Sequence, residues 1–238
     1  MHSHFLDIVD KCTECHLRSP HFFCELASET VRAFDAIAMS SLYPKGAALF
    51  FEGQSPRGIY ILCQGRLKLS ISSSNGKTLI LGIVEPGDAL GLNAAVSNTP
   101  YGVTAEALEP CQANFVRRED FLQFLSQHVD ASFNVTQHLS RHYRNAYAQI
   151  RSLGLSQSVG VKLAKLLLDW SAEGGVETIS GFRFKRTLTH EDIARMIGTT
   201  RETVSRTFGD LAGKKIIDVK GATLTIRDRL ALQALAGA

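Results

Sequence analysis

Between Leu42 and Val116 glycine recurs at positions 46, 53, 58, 65, 76, 82, 87 and 91 and cuts the chain into short apolar runs. These runs are Ala48–Phe51, Gly58–Leu62, Arg66–Ile71, Thr78–Val84 and Gly102–Leu108. Apolar runs this short, with turn glycines at close spacing, predict an antiparallel barrel or sandwich. Asn75-Gly76 predicts a hairpin turn, because both residues tolerate positive φ. A small barrel can also house a metal enzyme of the cupin type, whose ligands are histidines on the strands. The eight histidines lie at 2, 4, 16, 21, 128, 138, 142 and 190, outside the strand region. Neither a P-loop, nor a dinucleotide glycine fingerprint, nor a Ser-His-Asp order is present. An enzyme is not expected.

The flanks read as helix. Ser28–Ser40 predicts one before the barrel, and a helical stretch begins near Arg118, after which the chain has no proline. Within it Leu139, Tyr143, Ala146, Ile150 and Leu153 step by four, three, four and three residues. That is a narrow apolar seam. It suits either packing on the barrel or a two-fold coiled-coil contact with a second copy of the chain, and the narrowness favours the copy. A further helix is expected over Val159–Trp170, stopped by Glu173-Gly-Gly, with a short strand at Phe182–Lys185. The 238 residues contain no apolar run of membrane-spanning length, and the N-terminus has no basic region followed by an apolar core. A cytoplasmic protein without membrane attachment is expected, with its five cysteines as free thiols or metal ligands rather than disulfides.

The most specific pattern lies in Leu188–Leu211. Thr189 and Asp192 form a capping-box start, and Ile193 and Ile197 a buried stripe. Ala194, Gly198 and Val204 then fall at helix-turn-helix spacing. The small residue permits a close crossing, the glycine a left-handed turn, and the β-branched residue fills the gap between helices. Thr199 or Thr200 caps the second helix. Its exposed face is predicted to carry Arg201, Glu202, Ser205 and Arg206, suited to base edges in the major groove. Arginine bonds guanine O6 and N7 in bidentate fashion, and a carboxylate accepts from cytosine N4. Lys214–Ile226 predicts two strands with a turn at Lys220-Gly221-Ala222, a wing whose lysines suit phosphate. From Lys185 onward ten Lys and Arg face six Asp and Glu, so the whole excess of the +3 net charge sits there. The alternative is two ordinary amphipathic helices in a small α+β domain, or a module that binds a protein through the seam helix.

Pro86-Gly-Asp-Ala-Leu-Gly-Leu, Tyr60-Ile-Leu-Cys-Gln-Gly, Leu188-Thr-His-Glu-Asp-Ile-Ala and Arg201-Glu-Thr-Val-Ser-Arg, in a barrel, seam-helix, winged-helix order, resemble the CRP/FNR family of bacterial transcription regulators. The recognition-helix pattern Glu202, Ser205, Arg206 is closest to the FNR branch. The resemblance implies an α+β protein with an N-terminal antiparallel β-barrel of the cyclic-nucleotide-binding jelly-roll type, a long dimerisation helix and a C-terminal winged helix-turn-helix. The expected divisions are an N-terminal arm at 1–27, the sensory barrel at 28–128, the dimerisation helix at 129–155 and the DNA-binding domain at 156–238. It also implies a homodimer on a palindromic DNA site, expected to contain TGA in each half, with Thr189, Thr200, Arg201, Glu202, Ser205, Arg206 and Lys220 as the DNA-binding residues. Contact with RNA polymerase is implied by the family alone.

The signal is less defined. Cyclic-AMP-binding members carry a glutamate after Phe-Gly and an Arg-Ser pair, and Gly91–Val103 has neither, so cyclic AMP is not expected. Cys12-x-x-Cys15 followed by Cys24 resembles the FNR arm, which with a barrel cysteine holds a [4Fe–4S] cluster that oxygen destroys. Cys111 is the nearest barrel cysteine, about three residues early, and the gap to Cys24 is longer than in FNR; Cys63 lies on another strand. Oxygen or redox sensing through Cys12, Cys15, Cys24 and Cys111 stands beside zinc, a thiol switch, heme, or cysteines that only anchor the arm.

Overall fold

The computed structural model describes residues 11–15, 26–154, 158–174, 176–179, 181–185 and 188–237. Clustering of contacts divides the chain into two units, Met1–Ala146 and Tyr147–Ala238.

The first unit is a jelly roll faced by helices. After a 3-10 turn at Cys12–Glu14 come α1 (Ser28–Asp35), β1 (Met39–Tyr43), β2 (Ala48–Phe50), β3 (Gly58–Gln64), β4 (Leu67–Ser72), β5 (Thr78–Val84) and β6 (Ala89–Leu90). Next are α2 (Leu92–Ser97), β7 (Thr104–Ala107), β8 (Cys111–Arg117), α3 (Arg118–Gln127) and α4 (Val129–Gly154), whose residues from Tyr147 on belong to the second unit. The strands form two four-stranded antiparallel sheets, ordered β1-β8-β3-β6 and β2-β7-β4-β5. Strand alternation divides the core in two. Ile59 and Ile61 of β3 and Val116 of β8 pack outward against α1, α3 and α4. Tyr60 and Leu62, with Cys111 and Ala113, face the space between the sheets.

The expected helix over 28–40 ends at Asp35. From Met39 to Tyr43 the chain pairs with β8 in register, Met39 opposite Phe115 and Tyr43 opposite Cys111. A distant strand supplies hydrogen bonds that helix would otherwise make locally, and tertiary pairing overrides propensity. In the β4–β5 hairpin Gly76 alone takes positive φ. Asn75 instead uses its side chain, accepting from the Ser73 hydroxyl and the Lys77 amide.

Along α4, Ala131, Val135 and His138 are buried and Leu139 is half-buried against the outward core. His138 Nε2 lies 3.2 Å from the Ala89 carbonyl oxygen, and its ring is 4.4 Å from that of His142. Burial, then the neighbouring charges of His142 and Arg141, pushes the His138 pKa down to about 4. Burial also lowers His142, against the pull of Asp88.

The second unit comprises α5 (Val159–Gly174), β9 (Val176–Thr178), β10 (Gly181–Lys185), α6 (His190–Ile197), α7 (Arg201–Gly213), β11 (Ile217–Lys220), β12 (Thr223–Ile226) and α8 (Arg229–Ala236). Its antiparallel sheet runs β11-β12-β10-β9. Leu163 and Leu167 of α5, Ile193 of α6, Val204 of α7 and Leu232 of α8 are fully buried. Burying a leucine or isoleucine side chain contributes about 1.5–3 kcal/mol, so this small unit has an apolar core of its own.

Candidate DNA-binding interface

Three local devices build the helix pair. Thr189 is the N-cap of α6; its hydroxyl accepts from the Asp192 amide at 3.1 Å while Asp192 reaches back to the Thr189 amide at 3.1 Å, completing the capping box. Gly198 ends α6 at φ 68°, where a side chain would be strained. Thr200 caps α7 by accepting from the Thr203 amide at 3.3 Å. Of the two threonines expected as caps, Thr200 takes the role. Ala194 and Val204 are buried between the helices.

These constraints leave the first turns of α7 open on one side. Arg201, Glu202, Ser205 and Arg206 are all exposed there, at helical offsets of one, four and five. Among the described residues neither Arg201 nor Arg206 lies in an ion pair. Glu202 has its carboxyl held below the usual range by its own backbone amide and the Thr200 hydroxyl, so it is an ionised acceptor. Ser205 is tied down: its Oγ lies 2.8 Å from Nδ1 of His190. The His190 ring also stacks on Phe208, with centroids 4.8 Å apart and an interplanar angle of 12°. The sequence reading did not single out His190, although its place as the first residue of α6 is a signal for such a contact.

The wing is a hairpin of β11 and β12 in which Ile217 pairs with Ile226 and Lys220 with Thr223. Gly221 takes φ 58° at the turn. Lys220 projects beside Asp218 at 3.9 Å, and Asp218 is held more closely by Arg227 at 2.8 Å.

The seam residues divide. Leu139 is half-buried in its own unit, whereas Tyr143 and Ile150 are 63% and 66% exposed and Ala146 is exposed. Tyr147, not named from the sequence, is another exposed apolar residue of α4. The side chain of Leu153 lies outside the described residues.

Among the described cysteines, Cys12 and Cys111 are not brought together. Cys12 lies on the outward face: its Sγ accepts from Asn114 Nδ2 at 3.4 Å, and its amide donates to Asp35 Oδ1 at 2.8 Å. Cys111 sits on the same strand as Asn114 but three residues away, so alternation turns it to the other face, between the sheets. Its Sγ contacts the Glu109 and Arg66 carbonyl oxygens at 3.0 and 3.3 Å, and burial pushes its thiol pKa up. Cys24 lies outside the described residues. Among those described, no group of three or more His, Cys, Asp or Glu is arranged to hold a metal ion. Cys12 and Cys111 therefore do not fit one four-thiolate cluster, which needs all its sulfurs around one centre.

A jelly roll followed by a helix-turn-helix with a wing defines the architecture of a DNA-binding regulator. Family models agree: the cyclic nucleotide-binding domain matches residues 41–128 and the Crp-like helix-turn-helix domain residues 161–235, together more than half of the chain. The chain belongs to the CRP/FNR family of DNA-binding transcription regulators. It is 26% identical over 194 residues to a CRP-like cAMP-activated global transcriptional regulator of Mycobacterium tuberculosis, covering 81% of this chain and 86% of that protein. To the transcriptional activator protein FnrA of Stutzerimonas stutzeri it is 26% identical over 230 residues, covering 95% and 92%. The solved structure of FixK2 from Bradyrhizobium japonicum shares the fold, with a TM-score of 0.75 at 23% identity over 85% of this chain and 98% of that one. The two sequence relatives are a transcriptional regulator and a transcriptional activator. No helix among the described residues is long and apolar enough to cross a membrane.

Proposed function

We propose that two copies of this chain pair through α4 and read a palindromic site with TGA in each half. The observation that carries this reading is the open face of α7, where two guanidinium groups that lie in no ion pair among the described residues flank an ionised carboxylate and a hydroxyl. In that reading Arg206 bonds the guanine of the half-site and Glu202 accepts from the opposing cytosine N4, each pairing giving about 1–3 kcal/mol of base discrimination. Arg201, Thr189, Thr200 and Lys220 serve the backbone, the two threonines from helix N-termini whose amide groups favour phosphate. Tyr143, Ala146 and Ile150 supply the apolar contact between copies. RNA polymerase as a further partner rests on family membership alone.

For the signal, Gly91–Val103 offers a cyclic nucleotide neither an acidic nor a basic side chain. A buried cyclic phosphate without a cation would bear a large desolvation cost. We assign no [4Fe–4S] cluster to Cys12, Cys15, Cys24 and Cys111 together, since Cys12 and Cys111 face opposite ways; thiol or zinc chemistry at the arm keeps Cys12, Cys15 and Cys24 as its candidates.

The reading is tested by selecting bound duplexes from a random pool with the purified full chain, and then titrating the winner against salt. Enrichment of one palindrome, with binding that weakens steeply as salt rises, is the expected result. Glu202→Ala should then bind all four base pairs at its position to within a few-fold of one another. A chain that prefers no duplex over scrambled DNA overturns the proposal.

A further inference from the structure

Hydroxyls within a helix commonly return to the carbonyl one turn back. Thr207 does so, donating to the Thr203 carbonyl at 2.8 Å. Ser205, two residues earlier on the open face of α7, makes no such bond among the described residues. Its Oγ is turned across the helix pair and lies 2.8 Å from Nδ1 of His190 on α6.

The His190 ring is held from two sides. Its backbone follows the Thr189 N-cap, where the Thr189 hydroxyl donates to the Asp192 carboxylate and locks the first turn of α6. Its ring lies nearly parallel to that of Phe208, with 12° between planes and 4.8 Å between centroids, and Phe208 is buried in the core of the second unit. Turning the imidazole about its bond to the chain would break that stack. Phe208 stands one helical turn after Ser205, so the imidazole bridges a full turn of α7, stacked on one residue and hydrogen-bonded to the other.

A serine hydroxyl has one hydrogen and two lone pairs, so when free to rotate it serves donors and acceptors on base edges alike. Nδ1 of histidine is an acceptor or a donor according to the tautomer. As an acceptor it takes the Ser205 hydrogen, and Oγ then offers the groove lone pairs alone, which suit cytosine N4 or adenine N6. As a donor it occupies a lone pair and sends the hydrogen outward, toward guanine N7 and O6 or thymine O4. Either tautomer ends the free rotation.

We infer that His190 is a positioning residue of the DNA reader. By directing the Ser205 hydroxyl hydrogen it makes Ser205 choose between base edges that a freely turning hydroxyl would serve equally. This rests on the proposed reading of α7 as the base-contacting helix and adds to it a residue of α6 that acts through Ser205.

Two variants separate the ring from the bond. His190→Phe keeps a flat ring for the stack and removes Nδ1, whereas His190→Asn gives up the ring and keeps a polar atom at the same branch. Duplexes are selected from a random pool with the full parent chain, with both variants and with Ser205→Ala, and a thermal melt is recorded for each. The base position at which Ser205→Ala loses preference marks the serine contact. There the parent should favour one base by roughly three- to tenfold, the scale of one net hydrogen bond. His190→Phe should lose that preference and His190→Asn regain part of it, with the positions assigned to Arg206 and Glu202 still selected in both. Melting should run the other way, close to the parent in His190→Phe and lower in His190→Asn, whereas a merely structural role would move both readouts together. A palindrome selected by the parent, with the same preferences in His190→Phe or with none lost in Ser205→Ala, overturns the inference and leaves the reading of α7 standing. A parent that selects no palindrome overturns that reading and the inference with it.

Discussion

Nδ1 of His190, at the start of α6, lies 2.8 Å from Oγ of Ser205 in the second turn of α7, so one helix holds a side chain that the other presents outward. The same ring stacks on Phe208. Removing it in His190→Ala should cost about 1 kcal/mol of stability, allowing for the exposed position of the hydrogen bond. Thermal melting should show a loss of a few degrees, whereas Ser205→Ala, which spares the stack, should melt almost as the parent does. A parent-like melting curve for His190→Ala would show that the bridge contributes nothing.

The turn between the helices makes a second demand. Gly198 sits at φ 68°. Alanine there has to adopt the left-handed region, at a cost of about 1–2 kcal/mol. Denaturant midpoints of Gly198→Ala should fall accordingly, with weaker DNA binding because the helix crossing shifts. An unchanged midpoint would mean that the turn relaxes without strain.

On α4 the exposed apolar residue Ile150 carries the dimer proposal. Ile150→Glu puts a charge at each copy of the seam and should raise the dimer dissociation constant by at least roughly tenfold. Sedimentation equilibrium across a concentration series reads this directly, and Leu139→Glu, half-buried in its own unit, should instead lower the melting temperature. A stable dimer in Ile150→Glu places the interface elsewhere.

His138 should make the first unit sensitive to acid. Its pKa is about 4 in the folded chain against 6.5 for an unperturbed histidine. Between those values the unfolded chain binds a proton that the folded chain does not. The stabilisation is therefore whole above about pH 6.5 and is lost as pH falls toward about 4, by at most about 3 kcal/mol. The groups facing it act through the same site, with His142 and Arg141 lowering its pKa further. Melting temperatures of the parent should drop from neutral pH to about pH 5 more than those of His138→Gln. Parallel curves would refute the assignment.

Cys111 is fully buried and its thiol is shifted upward, so it should be the slow cysteine. Iodoacetamide labelling followed by peptide mass analysis should modify Cys12 and Cys15 well before Cys111, which should react at a comparable rate only after unfolding. Early labelling of Cys111 would contradict its place between the sheets.

The helix-turn-helix was readable because its determinants are local: a cap three residues from its partner, a glycine at a left-handed turn, and a helical stripe. The glycine-bounded strands were readable for the same reason. Met39–Tyr43 was not, since a helix-compatible segment becomes a strand only through its pairing with β8. Strand β8 hid as well, because Gln112 and Asn114 are buried polar residues that break apolar alternation. The two-residue β6 is too short to leave a pattern. Cys111 matched a ligand position by rough alignment, yet a three-residue offset on a strand reverses the face, which spacing in sequence does not reveal. The stack of Tyr101 on Phe50 joins two distant segments, and no local window contains both.

Asp218 in the wing binds Arg227 at 2.8 Å and lies 3.9 Å from Lys220, whose side chain is 82% exposed. This carboxylate already gives the lysine a negative neighbour before any DNA arrives. In the proposed reading, seating Lys220 on a phosphate exchanges one anion for another, and it frees fewer bound counterions than an isolated lysine would. On that reading the hairpin would trade some of its grip on any duplex for a fixed shape, leaving more of the choice among sequences to the helix beside it.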